Sequence, residues 1–279
     1  MKVDERAFEL GKLGADGPAL LCLHGLTGTP YEVRPPLDLI ESHGFACLGP
    51  LLPGHGTSPD ELNRTSREQW VSCALAGFDR LAATHSRVYV LGLSLGGVLA
   101  LRVAQRRRVA GTLVLAAPLD LGGLYRTALP ILAPFVSSVA KTPAIFDDAA
   151  REEHPGYRRM PLRAALELVR LQREVLAELS RIRGPLRLLY SRKDPTVRTS
   201  DAELVLRGAT AAQGRVDYLE DSSHVITVDR ERERVRDWIT VSLLELERET
   251  PPVFPPVDGV NERTLGSALS EAGARKAHS

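Results

Sequence analysis

The residues around Ser94 form a pattern that can support nucleophilic chemistry. A Gly-Leu-Ser-Leu-Gly stretch centred on Ser94 follows the apolar run 88–91 and precedes a segment of helical periodicity. A serine on a sharp turn between a strand and a helix stands clear of the sheet edge, and glycines are needed because larger side chains would collide there. The N–H of Leu95 would then face an oxygen bound beside the hydroxyl. The pattern predicts Ser94 as the nucleophile of an acyl transfer.

A serine nucleophile needs a base, and histidine is the side chain that most often acts as one. After a serine turn of this kind, the acid and then the histidine follow later in the chain. Of the seven histidines, those after Ser94 are His154, His224 and His278. His154 falls in a long interruption of the strand and helix pattern, and His278 lies beside the end of the tail. His224 lies in a short polar loop after a strand, so it is the predicted base.

Two aspartates could orient His224. Asp194 lies just beyond the strand predicted over 186–190, and Asp120 lies beyond the strand predicted over 111–116. Both would stand at the carboxyl edge of the sheet, where a serine turn also ends. The spacing of residues leaves both aspartates open as the acid.

Short apolar runs alternate with longer amphipathic segments along the chain. The predicted strands are 19–23, 45–48, 87–91, 111–116, 186–190 and 215–219, and the predicted helices are 31–43, 66–85, 95–106, 162–181 and 229–247. Apolar runs of about five residues are typical of parallel strands covered on both faces. The alternation predicts a doubly wound α/β sheet.

Residues 121–183 interrupt this alternation. Prolines break the first half of the segment, and an insertion of such length between core strands is typical of a cap over a site. The tail 249–279 is rich in proline and then in small polar residues, which predicts a flexible extension. The predicted organisation is an α/β core of 1–120 and 184–248, a cap of 121–183, and the C-terminal extension.

Composition limits the partners of the chain. The net charge is +1, from 36 basic and 35 acidic residues, so there is no global field to attract nucleic acid or an anionic membrane. The three cysteines match no zinc pattern and favour a reducing compartment without a structural disulfide. The charged N-terminus does not resemble a signal peptide, and no apolar run is long enough to span a membrane. We expect a cytoplasmic protein with a small-molecule substrate, no stable membrane insertion, and no metal or organic cofactor.

Several motifs occur together between residues 18 and 247. They are His-Gly-Leu-Thr-Gly from His24, Pro-Gly-His-Gly around His55, Gly-Leu-Ser-Leu-Gly-Gly around Ser94, the strand that leads to Asp194, and Ser-Ser-His-Val-Ile-Thr around His224. Together they resemble the small bacterial carboxylesterases related to monoacylglycerol lipases, in the α/β-hydrolase superfamily. The resemblance implies a mostly parallel central sheet with helices on both faces and a small helical cap.

The resemblance also assigns roles to residues. It favours Asp194 over Asp120 as the acid, which gives a catalytic triad of Ser94, Asp194 and His224. It implies that the main-chain N–H groups of two leucines form the oxyanion hole, and that two earlier histidines shape loops without acting as the base. These leucines are Leu26 and Leu95, and these histidines are His24 and His55.

The predicted activity is that of a serine carboxylesterase on short-to-medium acyl esters. The apolar residues predicted to line an acyl pocket, some of which we expect to belong to the core instead, are Leu119, Leu121, Leu124, Val197, Val225 and Ile226. A monoacylglycerol lipase or a thioesterase on the same triad is an alternative, because one fold hosts many reactions. A non-catalytic binding protein on a hydrolase scaffold is the alternative from another class.

Overall fold

The computed structural model describes residues 6–11, 17–120 and 122–249. Its strands are β1 (Phe8–Leu10), β2 (Pro18–Leu23), β3 (Ala46–Gly49), β4 (Arg87–Leu93), β5 (Gly111–Leu115), β6 (Ser138–Ala140), β7 (Arg159–Pro161), β8 (Leu186–Ser191) and β9 (Gly214–Leu219). Its α-helices are α1 (Asp38–Ser42), α2 (Pro59–Arg64), α3 (Arg67–Ala82), α4 (Leu95–Arg106), α5 (Gly123–Leu132), α6 (Asp148–Glu153), α7 (Leu162–Ala177), α8 (Ser200–Gly208) and α9 (Arg232–Glu249). Short 3-10 helices occupy Pro30–Glu32, Pro35–Leu37 and Leu179–Arg181.

A seven-stranded sheet runs through the molecule in the order β1-β3-β2-β4-β5-β8-β9. The strand pairs from β3 to β9 are parallel, and β1 joins the edge antiparallel to β3. The α/β fold and its mostly parallel sheet, predicted from the sequence, are confirmed. β1 has three residues and was not predicted, because so short a run carries no periodicity.

Helices cover both faces of the sheet, and the side chains of β2 alternate between the two cores. Leu21 packs on one face in a cluster with Trp70 of α3. Leu20 and Cys22 pack on the other face in a cluster with Leu243 of α9. Because both faces are buried, the central strands are largely apolar on both faces and do not alternate regularly with polar residues.

The predicted helix over 31–43 is wrong in its first part. The chain instead forms the 3-10 helices Pro30–Glu32 and Pro35–Leu37 before the five-residue α1. Two consecutive prolines, Pro35 and Pro36, have no N–H to donate and restrict the residue before them, so a continuous α-helix cannot pass through. One result is that Glu32 lies in a tight turn beside the carboxyl end of β2.

The chain leaves the sheet between β5 and β8 and forms an additional layer. This layer contains α5, α6, α7 and a small antiparallel pair of β6 and β7. α7 contacts α2, α3 and α4, and with the 3-10 helix Leu179–Arg181 it confirms the helix predicted over 162–181. The predicted extension lies, apart from residue 249, outside the described residues. Among the described helices, none combines the length and the apolar character that crossing a bilayer requires.

Candidate active site

Ser94 lies on a strained turn between β4 and α4. Its φ of 56° and ψ of −117° fall in a region that is costly for any residue but glycine. A Cβ atom on Gly92 would lie 2.0 Å from the carbonyl oxygen of Gly96, and one on Gly96 would lie 1.9 Å from that of Leu23. The glycines therefore allow β4, α4 and the end of β2 to approach closely. The N–H of Ser94 donates to the carbonyl of Leu115, at 2.9 Å, which ties the turn to β5.

The structure brings Ser94, His224 and Asp194 into one hydrogen-bonded line. Ser94 Oγ lies 2.9 Å from His224 Nε2, and His224 Nδ1 lies 2.7 Å from Asp194 Oδ2. The Asp194 side chain is 1% exposed and the His224 side chain 12% exposed, so water screens their interaction poorly. In this geometry the imidazole can take the proton of the hydroxyl while the carboxylate stabilises the resulting positive charge.

Main-chain groups fix the orientation of the Asp194 carboxylate. Its Oδ1 atom accepts from the N–H of Thr196, at 2.7 Å, and from that of Val197, at 3.0 Å. These bonds leave Oδ2 for the histidine. Asp120, the alternative acid, accepts instead from the N–H of Gly122, at 2.9 Å, and no hydrogen bond joins it to His224 in the described ranges.

A buried carboxylate, Asp229, organises the loop that carries His224. It is fully buried, and it accepts from the N–H of Ser223 at 2.6 Å and from the N–H groups of Phe146 and Asp147 at 2.9 Å. The N–H of His224 itself donates to a carbonyl of the same neighbouring segment, that of residue 144, at 3.0 Å. The inserted layer therefore holds the histidine loop in two ways, through the Asp229 carboxylate and through the N–H of His224. The sequence analysis missed Asp229, because it is the first residue of a charged run and therefore looks like a surface acid.

The 25–28 turn follows β2 and lies beside the serine. The N–H of Gly28 donates to the carbonyl of Gly25 at 3.2 Å, and Thr27 has a φ of 67°. Leu26 lies within this turn, and Leu95 is the first residue of α4, where N–H groups have no acceptor inside the helix. Both leucines belong to one hydrophobic cluster. These are the positions for which an oxyanion-hole role was predicted.

Glu32 is a buried acidic residue that the sequence analysis missed. It is 4% exposed, its Oε2 accepts from the N–H of Gly25 at 2.8 Å, and its Oε1 lies 2.8 Å from Nε2 of His154. Burial alone would raise the pKa of Glu32, but the hydrogen bond and electrostatics of His154, with smaller effects of His24 and of the Gly25 N–H, lower it to about 2. No local pattern could reveal this pair, because 122 residues separate its members.

Two more histidines pack beneath the 25–28 turn. Leu52 donates its N–H to His24 Nε2 at 3.1 Å, so the ring proton is on Nδ1, which donates to the carbonyl of Gly25 at 2.9 Å. His55 meets this ring edge to face, with centroids 4.8 Å apart. Burial lowers the pKa of both rings, that of His55 to about 3, where the neighbouring His24 lowers it further. Buried rings of this kind stabilise the loop in their uncharged forms.

The structure only partly brings together the apolar residues predicted to line a pocket. Leu119 and Val197 belong to the same cluster as Leu26 and Leu95. Val225 and Ile226 instead pack in the cluster on the other face of the sheet, so for them the alternative of core packing applies. Leu121 and the side chain of Leu124 lie outside the described residues. Within the described ranges, no group of three or more His, Cys, Asp or Glu side chains could hold a metal ion.

Comparison with known proteins places this geometry in context. Residues 20–238 match the model of a family described as the alpha/beta hydrolase family. A thermostable monoacylglycerol lipase of Bacillus sp. (strain H-257) is 28% identical over 222 residues, which cover 77% of this chain and 86% of that protein. A carboxylesterase of Bacillus subtilis (strain 168) is 26% identical over 233 residues, which cover 82% of this chain and 93% of the relative.

Solved structures agree on the fold. The monoacylglycerol lipase of Paleococcus ferrophilus superposes with a TM-score of 0.73 at 19% identity, over 86% of this chain and 98% of that one. A structure from work on two metagenome-derived lipolytic enzymes, LipS and LipT, superposes with a TM-score of 0.78 at 24% identity, over 88% of this chain and 98% of the other.

Proposed function

This chain belongs to the alpha/beta hydrolase family and is an ester-hydrolysing enzyme, and we propose that it works as a serine carboxylesterase with Ser94, Asp194 and His224 as its catalytic residues. The observation that supports the assignment best is the unbroken line from Ser94 Oγ to His224 Nε2, at 2.9 Å, and from His224 Nδ1 to Asp194, at 2.7 Å. A serine held at a φ of 56° by its neighbours indicates that the fold maintains strain at this point, which is typical of a functional site.

In the first step, Ser94 Oγ attacks the carbonyl carbon of the ester while His224 Nε2 takes the hydroxyl proton. The carbonyl oxygen becomes an oxyanion, which the N–H groups of Leu26 and Leu95 stabilise in this proposal. When the tetrahedral intermediate collapses, the bond from carbon to the alcohol oxygen breaks, and His224 returns its proton to that oxygen. The alcohol leaves, and the acyl group stays on Ser94. Asp194 keeps the imidazole oriented and balances its transient positive charge.

In the second step, a water molecule takes the place of the alcohol. His224 removes a proton from the water, and the resulting hydroxide attacks the acyl carbon. Collapse of the second tetrahedral intermediate breaks the bond to Ser94 Oγ, which regains its proton from the imidazole. The products are a carboxylic acid and the free enzyme, so the cycle uses only water as a co-reactant.

We propose residues 121–183 as a cap that covers this site and limits the size of the substrate. Several inserted residues contact the loops around the site: Ala144 at the histidine loop, Tyr157 at the 25–28 turn, and His154 at Glu32 beside that turn. A short-to-medium acyl chain suits an apolar wall of Leu26, Leu119 and similar side chains. Each further methylene of the acyl chain that is buried against this wall adds about 0.8 kcal/mol of binding free energy, or roughly fourfold in kcat/KM. The gain stops when the acyl chain is longer than the wall. The similarity to the monoacylglycerol lipase of Bacillus sp. also favours a monoacylglycerol as a second candidate substrate.

The test combines active-site labelling with a substrate panel. A fluorophosphonate probe should label the wild-type protein, and Ser94→Ala should abolish both labelling and turnover. p-Nitrophenyl esters of increasing acyl length, a monoacylglycerol and a thioester are then compared by kcat/KM. We expect a rise with chain length to a maximum at short-to-medium esters. Equal rates across all lengths would contradict an acyl pocket, and a preference for the thioester or the glyceride would select that alternative.

A further inference from the structure

The 25–28 turn rests on a carboxylate. Glu32 Oε2 accepts from the N–H of Gly25 at 2.8 Å, and a Cβ atom placed on Gly25 would lie 2.9 Å from that oxygen. The same Cβ atom would lie 3.4 Å from Cβ of Ser94. Gly25 therefore lies between the carboxylate and the proposed nucleophile and is close to both. A shift of the carboxylate would move the main chain that borders the serine.

His154 holds the other oxygen of Glu32. The N–H of Gly156 donates to His154 Nδ1 at 3.1 Å, so Nδ1 is an acceptor and the ring proton is on Nε2. Nε2 lies 2.8 Å from Glu32 Oε1, and both side chains are almost fully buried. A hydrogen bond to an ionised group is about twice as strong as a neutral one. The inserted layer thus supplies a donor to a carboxylate of the core.

Further contacts bind the same turn to the inserted layer. Thr27 accepts through its carbonyl from the N–H of Tyr157 at 2.9 Å, and its Oγ1 accepts from the amine of Lys141. The Tyr157 hydroxyl donates to the carbonyl of Gly54 at 3.0 Å. The 25–28 turn is therefore held by Glu32 through the N–H of Gly25 and by the insertion through Thr27.

The negative charge of Glu32 is unfavourable at this position, so the carboxylate needs another explanation. A carboxylate close to a developing oxyanion opposes that charge, so an acid here works against the electrostatics of the proposed reaction. A neutral acceptor would avoid this cost. What the carboxylate provides instead is two strong acceptors with a fixed separation, one for the core turn and one for the insertion.

We propose that Glu32 and His154 form a positioning pair that holds the 25–28 turn in its catalytic geometry and couples the insertion to the oxyanion hole. The pair touches neither the substrate nor the reacting atoms, so it acts through the N–H groups of the turn. This inference rests on the serine esterase activity proposed above. A displacement of about 1 Å at a catalytic group can cost on the order of 10²-fold in rate, which sets the scale of the expected effect.

The experiment compares two replacements of His154. His154→Leu removes the donor to Glu32 at similar volume, whereas His154→Gln keeps an N–H that can reach the carboxylate. We expect His154→Leu to lower kcat roughly 10- to 100-fold with little change in KM, because the loss falls on transition-state stabilisation. His154→Gln should recover most of this loss. Arg232→Gln, which removes a surface ion pair between the insertion and α9, is the matched control and should keep wild-type kcat.

A pH profile adds a readout that a purely structural role would not change. Without the hydrogen bond from His154, burial raises the pKa of Glu32, so His154→Leu should lose turnover in mildly acidic buffer where the wild type still works. The other titratable groups that face Glu32 are His24, His55 and Lys141, and all remain in the variant. The difference between the two profiles therefore reports on Glu32.

Glu32→Gln gives a second route if His154→Leu does not fold. Its amide oxygen can still accept from Gly25, but its NH₂ group then meets the N–H of His154, and a tautomer change would move that conflict to Gly156. We expect a lower kcat at near-normal melting temperature. Unchanged kcat in Glu32→Gln, or equal kcat in both His154 variants, would overturn the positioning pair. A wild-type protein that neither labels nor hydrolyses esters would instead overturn the proposed function, and the pair with it.

Discussion

Replacing Asp194 with asparagine should stop catalysis while leaving the shape of the site intact. In the wild type, Oδ1 accepts from the N–H groups of Thr196 and Val197, at 2.7 Å and 3.0 Å, and Oδ2 lies 2.7 Å from His224 Nδ1. Two donors point at the Oδ1 position, so the oxygen of an asparagine must occupy it. The NH₂ group of the asparagine is then forced to face the imidazole.

This orientation reverses the tautomer of His224. An NH₂ group facing Nδ1 requires Nδ1 to accept, so the ring proton moves to Nε2, which lies 2.9 Å from Ser94 Oγ. A protonated Nε2 cannot take the proton of the hydroxyl. The same exchange in a Ser-His-Asp protease lowers kcat by ~10⁴-fold, and that factor corresponds to about 5 kcal/mol of transition-state stabilisation. We expect a loss of this size here.

The assay is steady-state hydrolysis of a p-nitrophenyl ester, with circular dichroism and melting temperature as measures of folding. Asp120→Asn is the matched control, since Asp120 also follows a core strand but accepts from the N–H of Gly122 and not from the histidine. It should retain wild-type kcat. If folded Asp194→Asn has a kcat only about tenfold below wild type, the asparagine oxygen is not confined to the Oδ1 position and the predicted tautomer change is refuted.

Two further predictions concern stability. Burial lowers the pKa of His55 to about 3, so as the pH falls from 6.5 toward 3 the unfolded chain binds a proton that the folded chain does not, and stability decreases. Urea unfolding of His55→Gln should therefore depend less on pH than that of the wild type, by about 1.4 kcal/mol per pH unit in this window, and parallel curves would contradict the assignment. Asp229→Ala leaves the N–H groups of Phe146, Asp147 and Ser223 without their acceptor, so we expect a loss of about 3 kcal/mol or more in unfolding free energy. We also expect a lower kcat, since the loop carries the proposed base. A loss below about 1 kcal/mol would show that other groups or water replace the carboxylate there.

The sequence predicts the sheet well because its signal is local. Each central strand is a largely apolar run, because burial on both faces removes the regular alternation with polar residues. The strained turn at Ser94 can also be recognised in the sequence, because Gly92 is required by the main chain of Gly96 four residues later. Gly96 itself is required by the distant end of β2. The order of strand ends then leads to His224 but leaves Asp120 and Asp194 open as the acid, and the resemblance to the carboxylesterases favours Asp194. The structure places His224 and Asp194 in line with the serine.

The supporting residues could not be predicted in this way. Glu32 meets His154 across 122 residues, and Asp229 meets Phe146 across 83. Nothing in the neighbourhood of either carboxylate distinguishes it from a surface acid, since its partners are main-chain groups and a side chain of the insertion. The misassigned helix over 31–43 has the same origin: its apolar spacing is helical, but Pro35 and Pro36 prevent the hydrogen bonds.

The anchoring of the insertion restricts how this protein can be redesigned. Ala144, His154 and Tyr157 each bond to a loop of the core, so the stretch that contains them is built to match its own scaffold. A chimera that imports the whole 121–183 segment from a relative would sever these bonds and lose turnover along with its new substrate range. Exchanging only α5 and retaining 141–157 from this chain keeps these bonds, so that exchange would test whether the proposed cap sets selectivity.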